Sequence, residues 1–263
     1  LRHYNEVLDV SIFDHCSVVD YGDLPVNPGY IEDSYKMIEN GIQPILDGDV
    51  IPILLGGDHS VTIPELRAME KKHGPVALIH FDSHSDTGDK RFGRKFTHGT
   101  PFRRAIEEEL IIVEHSIQAG MRGSIYSRDE LNNARKLGFD LVTSIEVQKQ
   151  GIDTLIQRIH DRVGDAKAFV SFDIDFVDPA YAPGTGTPEI GGFTSIEALR
   201  VVRGLKGLNL IGFDLVEVLP QYDPSQITAL LASNIVYEFM SLIALSKKLE
   251  SKNRTHPNHS VFE

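Results

Sequence analysis

Asp82-Ser-His84-Ser-Asp86 places three side chains able to bind a cation at positions i, i+2 and i+4. The stretch follows directly on the apolar run Val76–Phe81. Successive side chains of an extended segment alternate between faces, so this period of two predicts all three on one face. Two carboxylates and an imidazole converging at the end of a buried strand are costly to desolvate unless a cation compensates them. Gly56-Gly57-Asp58-His59-Ser60 and Ser171-Phe172-Asp173-Ile174-Asp175 have the same character, each after an apolar run. Together the three stretches offer His59, Asp82, His84, Asp86, Asp173 and Asp175, enough for two divalent ions. Four carboxylates and two imidazoles, with no thiolate, suit a hard to borderline ion such as Mn²⁺ better than Zn²⁺. Two ions about 3.5–4 Å apart, bridged by carboxylates, provide a nucleophile for hydrolysis at neutral pH.

Each stretch also has a purely structural reading. Asp and Ser cap helices after glycine turns, and Ser60 is expected to cap a helix over 61–72. Asp178 before Pro179 reads as a turn. Recurrence separates the two readings, because all three stretches fall at the carboxyl ends of separate strands.

Strands are predicted at 17–20, 50–55, 76–81, 116–121, 139–143, 168–172 and 208–215. Helical patterns lie between them. Asn27-Pro28 predicts the start of a helix over 30–46. Ser127-Arg-Asp-Glu130 and Thr194-Ser-Ile-Glu197 read as capping boxes. Ser225 precedes a long apolar helix over 226–245. Strands apolar throughout are buried on both faces, so the fold class is α/β, a mostly parallel sheet with helices on both sides. Sites in such sheets form beyond the carboxyl ends of the strands, where the three stretches sit.

The 263 residues fit one domain over 1–245, followed by a polar, aperiodic tail over 246–263. In that tail Asn253-Arg-Thr255 and Asn258-His-Ser260 match the glycosylation pattern, a match common by chance. No apolar run is read as long enough to span a bilayer, at roughly 20 residues. The single cysteine, Cys16, excludes an internal disulfide framework and fits a reducing cytoplasmic setting. A net charge of −12 argues against nucleic acid as a partner.

The motifs GGDHS, D-x-H-S-D, the His98-Gly-Thr-Pro101 run and SFDIDFVDPAYAPGTGTPEIGGFT together resemble the ureohydrolase family: arginase, agmatinase and the guanidino-acid amidinohydrolases. The resemblance runs from about Val50 to Glu238. It implies a three-layer α/β/α sandwich and a binuclear manganese enzyme that hydrolyses a guanidinium group to urea and an amine. His59, Asp82, Asp86 and Asp173 would hold one ion. Asp82, His84, Asp173 and Asp175 would hold the other. His98 matches the family's proton-shuttling histidine, and Glu217 the carboxylate that grips the guanidinium. Asp86 is placed to take a proton from the nucleophile. Ni²⁺ or another divalent ion stays open, and a homotrimer or homohexamer is the family's habit. Relative to that family, the first strand and an Arg/Gly/Pro-rich loop precede Leu1, so one sheet strand and part of the pocket wall are expected to be missing. Ser83 stands where the family has Ala.

The loop Thr87–Thr97 contains neither Ser nor Asn, unlike the loop with which arginases read an α-amino acid. Segments 98–104, 121–124 and 216–223 resemble the agmatinase branch instead. Agmatine is therefore the expected small substrate, with putrescine as the amine. Guanidinobutyrate and guanidinopropionate remain alternatives, because Lys90, Arg91, Arg94 and Lys95 could favour a carboxylate tail. A catalytically silent member of the fold is a further alternative, against which the full set of ligands, His98 and Glu217 argues. Neither a membrane nor a nucleic acid is expected as partner.

Overall fold

The computed structural model describes residues 2–255. A short antiparallel hairpin, β1 (Tyr4–Asn5) and β2 (Val10–Ser11), leads into α1 (Ile12–His15). Then follow α2 (Ile31–Asp47), β3 (Ile53–Leu55), α3 (Thr62–His73), β4 (Ala77–Phe81), α4 (Pro101–Glu107) and β5 (Ile117–Met121). The chain continues through α5 (Glu130–Lys136), β6 (Asp140–Thr143), α6 (Ser144–Gln150), α7 (Ile152–Val163) and β7 (Lys167–Asp173). It closes with α8 (Ser195–Gly204), β8 (Asn209–Val216) and α9 (Ile227–Thr255).

β3 to β8 form one sheet in the order β3-β8-β7-β4-β5-β6, and every pairing is parallel. Parallel neighbours require crossovers, and the intervening helices supply them and cover both faces. On one face Ile79 and Phe81 of β4 and Val170 and Phe172 of β7 pack with Ile159, Val201 and Phe239. On the other face Leu78 and Phe169 pack with Ile42, Leu66 and Phe102. Fully burying each such side chain contributes about 1.5–3 kcal/mol. From β4 the strand order advances to β5 and β6 on one side and returns to β7 and β8 on the other. The order thus reverses between β4 and β7, the place where a doubly wound sheet opens a crevice.

Six of the seven expected strands form within a few residues of their predicted limits. The exception is 17–20, which joins no strand: Val19 is 76 % exposed and has no neighbouring strand to pair with. Thr194 and Glu197 make the expected reciprocal capping box at α8. The other predicted caps are not made. Asn27 does not cap α2; its backbone N–H and carbonyl bond instead with the Ser34 hydroxyl. Ser127 does not cap α5, and Glu130 turns back to accept from the Tyr126 N–H. Asp58, not Ser60, caps the turn before α3. Asp223, not Ser225, accepts the N–H groups of Thr228 and Ala229 at the start of α9. A capping box at Thr143 and Glu146 was not read from the sequence.

α9 also differs from expectation at its far end. It runs on to Thr255, so the stretch expected to fray from 246 is helical to that point. Asn253–Thr255 forms its last turn, and 258–260 lie outside the described residues. By length and composition Ile227–Lys252 could cross a membrane, contrary to the sequence reading. The structure uses it as a core helix. Ile235, Phe239 and Leu242 join the main core, and the buried Glu238 carboxylate pairs with Arg203 and Asn5.

Candidate metal centre

The centre is built where β4 and β7 end, with the β3–α3 turn folded over them. Gly56 makes the turn possible, since a Cβ there would lie 2.7 Å from Val61 Cγ2 and 2.9 Å from Val216 Cγ1. Past it, the Asp58 side chain accepts the Ser60 N–H at 2.9 Å and winds the chain into a short 3₁₀ turn that begins at His59. His59 is 1 % exposed. Its Nδ1 lies 3.0 Å from Asp82 Oδ2, 3.0 Å from Asp86 Oδ2 and 3.3 Å from Asp173 Oδ2. Its Nε2 meets the Ser171 hydroxyl at 2.9 Å.

Asp82, His84 and Asp86 do converge, but not by strand alternation. β4 ends at Phe81, and the chain then curls. Asp82 Oδ1 accepts the His84 N–H at 2.5 Å, and Asp86 adopts a left-handed φ of 48°. A side-chain acceptor two residues back offers the backbone a turn in place of an extended path. The same device recurs after β7, where Asp173 Oδ1 accepts the Asp175 N–H at 2.8 Å. It turns Asp175 toward His84, whose Nδ1 is 3.0 Å from Asp175 Oδ2 and 3.4 Å from Asp82 Oδ1. Two groups with the spacing of a metal site result: His59, His80 and Asp82, and Asp82, His84 and Asp175. Asp82 belongs to both.

The electrostatics fit bound cations. Nδ1 of His59 is buried and makes no hydrogen bond, although three carboxylate oxygens surround it at 3.0–3.3 Å. Burial, reinforced by the charges of Asp175 and Asp82, pushes the Asp173 carboxyl well above the usual range. Burial and Asp82 raise Asp175 as well. Burial opposes a charge on His84, yet Asp175 and Asp82 outweigh it and push the imidazole up to about 12. Without ions, protonated imidazoles and protonated carboxyls must supply the compensation that divalent cations would provide directly. The oxygen-rich, thiolate-free donor set matches hard to borderline ions.

Glu217 follows β8 in a left-handed conformation, φ 64°. Its Oε1 accepts the His59 N–H at 2.8 Å, which sets the carboxylate beside the cluster. Burial raises its pKa, with the His59 N–H opposing. His98 is different. It lies exposed in the loop between β4 and α4, and its ring has no hydrogen bond or ion pair among the described residues. That loop is pinned around it: the Gly88 N–H donates to Gly99 at 3.1 Å, and the Thr100 hydroxyl reaches the carbonyls of Lys95 and Thr97.

Several polar residues here escaped the sequence reading. His80, Gln118, Ser171 and Asp214 occupy register-paired positions across β5, β4, β7 and β8, all fully buried. They form a polar row one layer below the putting-together of Asp82 and Asp173. Arg122 bonds the carbonyls of Gly120, Asp175, Phe176, Val177 and Glu189, tying the loop after β7 to the end of β5. The available signal was a lone His or Gln inside an apolar strand, with His80 two residues before Asp82.

A model of the arginase family matches residues 1–242. The guanidinobutyrase of Pseudomonas aeruginosa is 44% identical over 243 residues, covering 92% of this chain and 76% of that protein. The mitochondrial agmatinase of Gallus gallus is also 44% identical over 243 residues, covering 92% of this chain and 72% of that protein. Among solved structures, proclavaminate amidino hydrolase from Streptomyces clavuligerus superposes with a TM-score of 0.86 at 39% identity, covering 90% of this chain and 78% of that one.

Proposed function

Because the chain belongs to the arginase family, we propose that it hydrolyses agmatine to urea and putrescine at the centre described above. The observation that carries this reading is the seating of Glu217: a carboxylate aimed by a backbone N–H beside a cluster of four carboxylates and two imidazoles. A carboxylate grips a planar guanidinium through two parallel hydrogen bonds.

The donor set fits two Mn²⁺ ions. His59, Asp82, Asp86 and Asp173 would hold one, and Asp82, His84, Asp173 and Asp175 the other. What such a pair of ions supplies is a water acidic enough to lose its proton near neutral pH. The remaining chemistry falls to side chains. Glu217 binds and orients the guanidinium. Asp86 takes a proton as a water oxygen bonds to the guanidinium carbon. His98 delivers a proton to the alkyl nitrogen as its bond to that carbon breaks, and the hydroxyl proton left on the former water oxygen passes to the departing amine, so urea and a protonated amine leave.

The amine tail of agmatine is favoured by the commitment of one loop cation, Arg91, to other partners. The Arg91 guanidinium stacks 3.9 Å from the Tyr126 ring centroid and lies 3.6 Å from Glu130, while Arg104 bonds Asp89 and Glu107. Guanidinobutyrate is the second reading, favoured by an identity to guanidinobutyrase equal to that to agmatinase. Urea release from agmatine, guanidinobutyrate, guanidinopropionate, arginine and guanidine, with Mn²⁺ or Ni²⁺, tests both. A higher kcat/KM for guanidinobutyrate selects the second reading. Absence of urea from every compound refutes the activity.

A further inference from the structure

His80 stands within metal-binding distance of His59 and Asp82, and its geometry gives it a different task. Its register partner on β5 is Gln118. Nε2 of Gln118 lies 2.6 Å from the Ser85 carbonyl oxygen. A carbonyl only accepts, so the amide nitrogen, not its oxygen, must face Ser85. The same nitrogen lies 3.0 Å from His80 Nδ1. With one hydrogen directed to Ser85, its second points at Nδ1, which must therefore present a lone pair. A neutral imidazole with a bare Nδ1 carries its proton on Nε2. His80 Nε2 lies 2.8 Å from Asp82 Oδ2.

We propose that His80 is a positioning residue, oriented by Gln118 so that its Nε2–H donates to Asp82, the carboxylate shared by both groups of ligands. A proton on Nε2 leaves no lone pair there for a metal, so His80 is excluded from the ligand set. The Phe102 ring, 4.2 Å from the His80 ring, holds its plane. Asp82 is thereby fixed from both sides, at Oδ1 by the His84 N–H and at Oδ2 by His80. Each oxygen keeps lone-pair capacity for a cation. Hydrogen bonds that orient a ligating carboxylate affect metal affinity by about 10–100-fold.

The inference rests on the binuclear reading for its consequence but not for its geometry, and two measurements separate them. The first is the tautomer of His80 by ¹⁵N–¹H correlation in metal-free, ¹⁵N-histidine-labelled protein, with the signal assigned by its loss in His80→Phe. An Nε2–H tautomer is expected, and it should be lost in Gln118→Met. A proton on Nδ1 in the wild type overturns the proposal. The second is Mn²⁺ titration followed by electron paramagnetic resonance. His80→Phe keeps a ring and removes the donor, and should weaken Mn²⁺ binding by about 10–100-fold. His80→Gln restores an N–H near the Nε2 position and should recover most of that loss. Wild-type affinity in His80→Phe, or equal losses in both variants, overturns the proposal. Uptake of fewer than two Mn²⁺ by the wild type refutes the binuclear reading and leaves the tautomer result standing.

Discussion

The Glu217 carboxylate accepts the His59 backbone N–H at 2.8 Å, while the Glu217 N–H donates to the Gly57 carbonyl at 2.9 Å. One residue after β8 is thus clamped twice to the turn after β3, and the proposed guanidinium grip is anchored to the residue that carries the first imidazole. Glu217→Gln keeps the shape and removes the charge. Metal content should be unchanged, and kcat/KM should fall by the equivalent of about 3–5 kcal/mol, the cost of breaking a buried charge-assisted pair on one side. The loss should be similar for every guanidino substrate. A changed ranking of substrates with turnover spared would place Glu217 at the tail instead.

Metal stoichiometry tests the cluster itself. Elemental analysis of Mn²⁺-loaded protein should approach two ions per chain. Asp173→Asn should lose metal, because Asp173 faces His59 and sits beside Asp82 and Asp175. A wild-type value that stays at one ion refutes the pair.

His98 is exposed and free of hydrogen bonds among the described residues, as a group that exchanges protons with solvent requires. His98→Ala should leave both ions bound and lower kcat by about 10²–10⁴-fold, the usual share of general acid–base catalysis. Unchanged kcat removes His98 from the mechanism; parallel loss of metal makes it structural.

Glu65, on α3, gives a pH dependence of stability. It is 2 % exposed, its Oε2 has no hydrogen-bond partner, and burial together with Asp214 raises its carboxyl well above the ordinary 4.5. The folded protein therefore keeps a proton that the unfolded chain releases above about pH 4.5. More protons bound in the native state mean that this group's contribution falls as pH rises through that window. Glu65→Gln removes the effect. In urea unfolding at fixed metal content it should be more stable than wild type at pH 7.5 and equal to it near pH 4. The difference should be about 1.4 kcal/mol for each unit by which the native pKa is raised. Parallel stability curves for the two proteins across this range would falsify the assignment.

The sheet was legible because its strands are apolar on both faces, and six of the seven runs named such strands. Val18 and Val19 misled, since β propensity without a neighbour makes no strand. The β1–β2 hairpin went unread because two-residue strands carry no period. The ligands were visible because carboxylates and imidazoles at strand ends interrupt apolar runs. Their convergence was anticipated by the wrong route, through alternation, where side-chain turns at Asp82 and Asp173 perform it. His80 and Gln118 were invisible as a pair because their meeting depends on the register of β4 against β5, which no local pattern records.

The placement of β8 between β3 and β7 also governs how the molecule comes to exist. His59 and Glu217 are 158 residues apart in sequence. At about 5–20 residues per second, roughly 8–32 s of synthesis separate them on the ribosome. During that interval β3 waits without its neighbour β8, and β4 lacks β7 until Asp173 has been made. Long-range parallel pairings of this kind fold slowly, and unpaired apolar strands aggregate. The last of the six candidate ligands, Asp175, lies 116 residues after His59 in sequence, so the ligand set is completed only after β7 has been made. A chain stalled before β7 therefore carries His59, Asp82, His84 and Asp86 without the two carboxylates, Asp173 and Asp175, that complete the set.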